Sequence, residues 1–152
     1  MINMQAFHWV RVQTFCYATE RQSLLEETMA ELVGQDGFEE EISEGEHGET
    51  MLILEARLTK QKEFKALFAK LGEEIRAWIK EDMDNRVDDD CMFYMRLDKQ
   101  KAVQGAYEVA HHGDVVSITG KIQAHPARKD VACEMLETFL GSLQDSPGVP
   151  PS

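Results

Sequence analysis

The chain has 152 residues, 43% of them hydrophobic and 29% charged, and a formal net charge of −12 at pH 7. That length suits one well-filled core. No stretch approaches the ~20 apolar residues that span a membrane, and the start lacks the regions of a secretory signal. Three separated cysteines (Cys16, Cys91, Cys133) without a C-x-x-C pair argue against a disulfide framework or zinc knuckle and suit reduced thiols in a cytoplasm.

Alternation predicts a first strand over 7–17, with Trp9, Arg11 and Gln13 on one side and His8, Val10 and Val12 on the other. Phe15 and Tyr17 share the phase of Arg11, and a bulge would return them to the core. Thr19 begins a helix with Gln22 completing a capping box. Its stripe is Leu24, Leu25, Met29, Leu32 and Val33, and Gly34 stops it. A short strand over 38–42 and a longer one over 51–58 follow. Leu52, Leu54, Ala56 and Leu58 face the core, opposite Met51, Ile53, Glu55 and Arg57.

Phe64, Leu67, Phe68, Leu71, Ile75, Trp78 and Ile79 predict one long helix from Lys60 to Met83, with Gly72 marking a close packing contact. After the acidic turn Asp88-Asp89-Asp90, strand 91–97 alternates Phe93, Met95 and Leu97 against Tyr94 and Arg96. A short helix near 99–104, Gly105, a strand over 106–111 and a turn at His112-Gly113-Asp114 come next. Strand 115–124 buries Val116, Ile118 and Ile122 and displays Ser117, Thr119, Lys121 and Gln123. Pro126 opens a final helix striped by Ala132, Met135, Leu136, Phe139, Leu140 and Leu143. Residues 1–143 read as a single α+β domain. Residues 144–152, with three prolines, a glycine and two serines, read as a flexible tail. The element order suggests a two-layer sandwich, a mixed or antiparallel sheet with helices on one face.

Charge is unevenly spread. Residues 1–58 have a balance of −9 and residues 59–152 a balance of −3, while residues 91–133 alone carry +2. An acidic surface repels nucleic acid, so any such binding must use a local patch. Acidity elsewhere also suits solubility in a salty cytoplasm. The patch is legible in Tyr94-Met95-Arg96-Leu97-Asp98-Lys99-Gln100-Lys101-Ala102-Val103-Gln104-Gly105, a strand delivering Arg96 into a short helical turn with Lys99 and Lys101. Phosphate binders are often built from cations beside a turn.

Arg-Leu-Asp-Lys-Gln-x-Ala followed by Gly resembles the hallmark of a small archaeal family of predicted RNA-binding, exosome-associated proteins. Thr19-Glu20, Gly45-Glu46-His47-Gly48, Lys70-Leu71 and the segment Val115 to Pro126 are similar to its other pieces and come in the same order, so the resemblance covers residues 6 to 142. Where that family has Asn-Pro after Gly-x-x-Gly, this chain has Glu49-Thr50. The resemblance implies a fold similar to the large-subunit ribosomal protein that binds 5S RNA, and RNA as the partner.

With every apolar side facing the helices, the open sheet face displays Trp9, Arg11, Gln13, Arg57, Tyr94, Arg96, Thr119, Lys121 and Gln123, with Glu55 among them. Aromatics interleaved with cations and amides suit single-stranded RNA, whose bases stack while Lys and Arg neutralise phosphates. The expected RNA-binding set is Arg96, Lys99, Lys101, Arg11, Arg57, Tyr94, Lys121 and Trp9, with Arg96 at its centre. Because neighbours two apart on a helix diverge, only one of Lys99 and Lys101 converges with Arg96. Asp98 is placed either to pair with a nearby cation or to cap the short helix, the structural alternative for this motif.

Catalytic patterns are missing from the sequence. No histidine pair has metal-site spacing, no G-x-S-x-G elbow occurs, and Gly45-x-x-Gly48 is too short for a nucleotide loop. No enzyme activity, cofactor or metal is expected. Two functions from different classes fit: a noncatalytic RNA-binding accessory protein, or a protein–protein adaptor or homodimer that uses the same sheet face without touching nucleic acid.

Overall fold

The computed structural model describes residues 5–17, 20–34, 39–44 and 50–143. Five strands, β1 (Phe7–Tyr17), β2 (Glu39–Glu44), β3 (Thr50–Leu58), β4 (Met92–Asp98) and β5 (Val115–Ile122), form one sheet in the order β2-β3-β1-β5-β4. The helices are α1 (Gln22–Val33), α2 (Gln61–Leu71), α3 (Glu73–Glu81), α4 (Met83–Arg86), α5 (Lys99–Val103) and α6 (Lys129–Gly141). The fold is α+β, and β2 pairs antiparallel with β3, Ile42 opposite Leu52. Among the described residues no helix is long and apolar enough to cross a membrane. The predicted tail 144–152 and the Gly45–Gly48 loop lie outside the described residues.

The chain forms two compact units, one built from the described residues up to Val10, Leu58–Tyr94 and those from Thr119 onward, the other from those of Arg11–Arg57 and Met95–Ile118. Phe7 organises the core of the first. Its ring stacks on Phe68 of α2 at 5.6 Å and 3°, and meets Phe64, Phe93 and Phe139 edge-on at 5.4, 6.1 and 5.9 Å. Such pairs contribute about 0.5–1.5 kcal/mol each beyond their burial. Gly120 of β5 makes room for this ring, since a Cβ there would stand 2.9 Å from Phe7 Cδ1. In the second unit Cys16, Leu25 and Leu54 cluster with Leu52 and Val103, so α1 covers the apolar sides of β1 and β3.

Most strand phases match the alternation. Val10, Val12, Leu54, Ala56, Phe93, Met95, Val116 and Ile118 are buried. The start of β1 departs from it, because Phe7 turns inward and His8 outward. Burying a phenyl ring in an aromatic cluster outweighs strict alternation with a half-polar imidazole. Phe15 and Tyr17 stay outside, 38% and 41% exposed. Thr119, expected on display, is buried. Residues 106–111 form no strand. Asp98 N–H bonds Glu108 O and Ala110 N–H bonds Arg96 O around a single bridge at Val109; on one side the chain beyond Asp98 is helical in α5, and on the other residues 111–114 bend away toward β5. Helix α1 begins at Gln22 rather than Thr19, which lies outside the described residues, and ends as expected at Gly34 in the left-handed conformation. Pro126 stands ahead of α6, whose N-cap is the extended Arg128.

The expected helix 60–83 is broken at Gly72, which adopts φ +95°. The residue is not a packing contact, since a Cβ there would have nothing within 4 Å. Its role is conformational: this φ is strained for any residue with a side chain. The break strips donors from the last carbonyls of α2, and buried Arg76 supplies them, Nη1 donating to Phe68 O at 3.0 Å and Ala69 O at 3.3 Å. At the other end of α2, Glu63 accepts from the backbone N–H groups of Thr59 and Lys60, both at 3.1 Å.

The sign of one substitution separates the two descriptions. In a continuous exposed helix Gly72→Ala would stabilise by up to about 1 kcal/mol; at φ +95° it should instead destabilise by about 1 kcal/mol or more. Urea unfolding of wild type and variant reads the sign directly.

Candidate nucleic-acid interface

At the end of β4 the chain turns sharply into α5. Asp98 caps that helix, its Oδ1 accepting from Lys101 N–H at 2.9 Å, and Gly105 closes it at φ +86°. A five-residue helix cannot hold itself in place, and Lys99 anchors it. The Lys99 side chain is fully buried. Its ammonium contacts Phe15 O at 2.8 Å, Glu20 Oε1 at 2.7 Å and Asp114 Oδ1 at 2.8 Å, and lies 5.0 Å from the centre of the Tyr17 ring. Three donors thus meet three oxygens. Asp114 holds the helix twice more, accepting Lys99 N–H through its backbone carbonyl at 3.1 Å and Gln100 Nε2 at 3.2 Å.

This places the expected cations differently. Lys99 faces inward with its donors engaged, while Lys101 is exposed. Arg96 is exposed too, with Nη1 donating to His111 O at 3.1 Å, a contact that steadies the guanidinium at the strand end. Arg57 is exposed on β3. Arg11 on β1 lies 3.8 Å from Glu55, which also accepts from Gln13 Nε2 at 3.4 Å. Their long contact in solvent is weak and leaves the Arg11 guanidinium able to exchange partners. In the second unit, then, Arg11, Arg57 and Arg96 occupy strand positions opposite the buried phase, Lys101 projects from the adjoining turn, and Phe15 and Tyr17 lie on the Arg11 side of β1.

The other expected residues belong to the first unit. Tyr94 is 44% exposed. Its carbonyl accepts from Arg86 Nη1 at 3.3 Å, and that guanidinium lies 4.9 Å over the Trp78 ring. Lys121 is half-buried with its ammonium on Asp90 O, and Trp9 is half-buried. Asp88 organises the acidic turn, its Oδ1 accepting from the backbone N–H of Asp90 and of Met92, both at 2.9 Å. Among the described residues no group of three or more His, Cys, Asp or Glu could hold a metal ion. Burial, with Glu20 reinforcing it against Lys99, pushes the Cys16 thiol up from its ordinary value, and burial does the same for Cys133. Both therefore stay protonated near neutrality, unlike activated nucleophiles.

Glu20 and Asp114, the carboxylates that hold Lys99, are residues that local pattern does not reveal. The one signal in the sequence is joint occurrence, since Thr19-Glu20 and the Arg96–Gly105 run both resemble pieces of the same family pattern.

Two lysines two residues apart should therefore behave oppositely. Lys99→Met removes the partner of two carboxylates and a backbone carbonyl, and should cost about 3 kcal/mol. Lys101→Ala should stay within about 0.5 kcal/mol of wild type. Thermal and urea unfolding of both variants would check the contrast.

A family profile described as RNA binding matches residues 9–122. The RNA-binding protein PAB1135 of Pyrococcus abyssi is 27% identical over 143 residues, covering 88% of this chain and 93% of that protein. The structure of Mth689, a DUF54 protein from Methanothermobacter thermautotrophicus, superposes with a TM-score of 0.75 at 28% identity, covering 90% of this chain and 99% of that one. A UPF0201 protein from Methanococcus jannaschii shares the fold, with a TM-score of 0.60 at 11% identity over 87% of this chain and 98% of that one. With three quarters of its length matched, the chain belongs to this RNA-binding family.

Proposed function

We propose that this protein is a noncatalytic RNA-binding accessory protein whose primary contact is the strand-turn-helix of Arg96 and Lys101, flanked by Arg11 and Arg57. The observation that carries it is the bracing of this turn by Lys99. A rigid strand end presents Arg96, whose planar fork suits bidentate phosphate contact, and the capped helix turns Lys101 outward beside it. Lys99 serves the site by positioning it. In the first unit Trp9, Tyr94 and Lys121 are proposed as further RNA contacts. The setting we assign is RNA processing in the cytoplasm, with an exosome-type complex as partner, as the family resemblance implies. The competing reading is an adaptor or homodimer, favoured by the exposed Phe15 and Tyr17 rings.

Fluorescence anisotropy with labelled RNA at two salt concentrations separates them. Arg96→Ala should weaken binding by about 1–3 kcal/mol, and Lys101→Ala should lower the salt slope by about one. Unchanged affinity in the folded Arg96→Ala, Lys101→Ala double variant would favour the adaptor.

A further inference from the structure

Phe15 and Tyr17 stand two residues apart on β1, both outside the core although flanked by the buried Thr14 and Cys16. The backbone beneath them is held at successive points. Thr14 Oγ1 donates to Val115 O at 3.1 Å, Phe15 O accepts from Lys99, and Tyr17 N–H donates to Glu20 Oε1 at 3.0 Å. The Tyr17 ring has the Lys99 ammonium on one side. Lys99 has no solvent exposure while Tyr17 is 41% exposed, so the ring's accessible face is the opposite one. Two aromatic side chains thus leave a braced stretch of backbone in phase with Arg11 and Gln13.

We infer that these rings form a base-stacking platform and that the ligand of the site is unpaired RNA rather than duplex, a reading that rests on RNA binding by the Arg96–Lys101 turn. The spacing carries the choice. Residues i and i+2 of a strand lie ~6.7 Å apart, about twice the 3.4 Å rise of a stacked nucleic-acid strand. Adjacent bases that reach both rings must be unstacked from each other, a state open to single strands and loops and closed to a duplex. Charge points the same way. A protein of net charge −12 gains little from general attraction to phosphate, and stacking supplies affinity that salt does not screen. Arg96 and Lys101 then grip the backbone of a strand whose bases lie on Phe15 and Tyr17.

The test uses the full chain with two fluorescein-labelled probes, a ten-nucleotide oligouridine and a twelve-base-pair RNA duplex. Wild type should bind the oligouridine at least tenfold more tightly than the duplex. Phe15→Leu and Tyr17→Leu, which keep an apolar side chain but lose the π-face, should each weaken oligouridine binding roughly tenfold and leave the salt slope unchanged. Tyr17→Phe should retain wild-type affinity, which a role for the hydroxyl would not allow. Wild-type affinity in both folded leucine variants, with Arg96→Ala still weakening binding, would overturn the platform and leave RNA binding standing. Equal affinity for the two probes would also overturn it. No binding of either probe, with a dimer in sedimentation that Phe15→Leu dissociates, would remove both readings and assign the face to a second copy of the chain.

Discussion

The buried ammonium of Lys99 is the constraint on which the proposed site depends. It joins the end of β1, the entry to α1, the start of α5 and the segment before β5, reaching 84 residues back to Phe15 and 79 back to Glu20. Replacing a buried ion pair outright with apolar residues often costs nothing, so the pairing is not primarily a source of stability. Its value is geometric. Three fixed oxygens accept three donors in one arrangement, which sets the rotation of α5 and with it the outward aim of Lys101. Glu20 and Asp114 keep partial access to water, with 20% and 36% of their side chains exposed, so the second carboxylate charge is not stranded in the interior.

The same interaction reconciles acidity with a nucleic-acid partner. In the proposed complex a strand of RNA approaching the turn would meet Arg96 and Lys101, while two of the nearby carboxylates are engaged with Lys99 and a third, on Asp98, with a helix N-terminus. Neutralising acids locally lets a few cations dominate the field near them, since exposed charges beyond ~10 Å are screened at physiological salt. Glu55 tempers Arg11 in the same manner and sets a limit on how basic the sheet face becomes.

The sequence displayed the strands well because alternation is a local property: Leu54, Ala56 and Leu58, or Phe93, Met95 and Leu97, declare their face within five residues. The break in the long helix was hidden by the same logic. Phe68, Leu71, Ile75 and Ile79 keep helical spacing across Gly72, and a glycine alone does not announce a positive φ. Arg76 repairs the break from inside the core, where a charged residue on a helix would ordinarily be read as solvated. The burial of Lys99 is illegible in the sequence for a related reason. Nothing within its own turn distinguishes it from Lys101, and its partners come from distant segments. The exposure of Phe15 and Tyr17 follows from their phase, but that Tyr17 faces Lys99 is a tertiary fact.

In the proposed complex β1 beyond Arg11 and the Arg96–Lys101 turn together receive an RNA strand around a buried, immobile Lys99. Amide and lysine ammonium NMR spectra recorded during titration with oligouridine test it most directly. Shifts should concentrate at 11–17, at Arg57 and at 96–101. The Lys99 ammonium should stay protected from exchange throughout, while that of Lys101 moves. Shifts confined to the α3 and α6 helices, or a Lys99 ammonium exchanging as freely as Lys101, would contradict it.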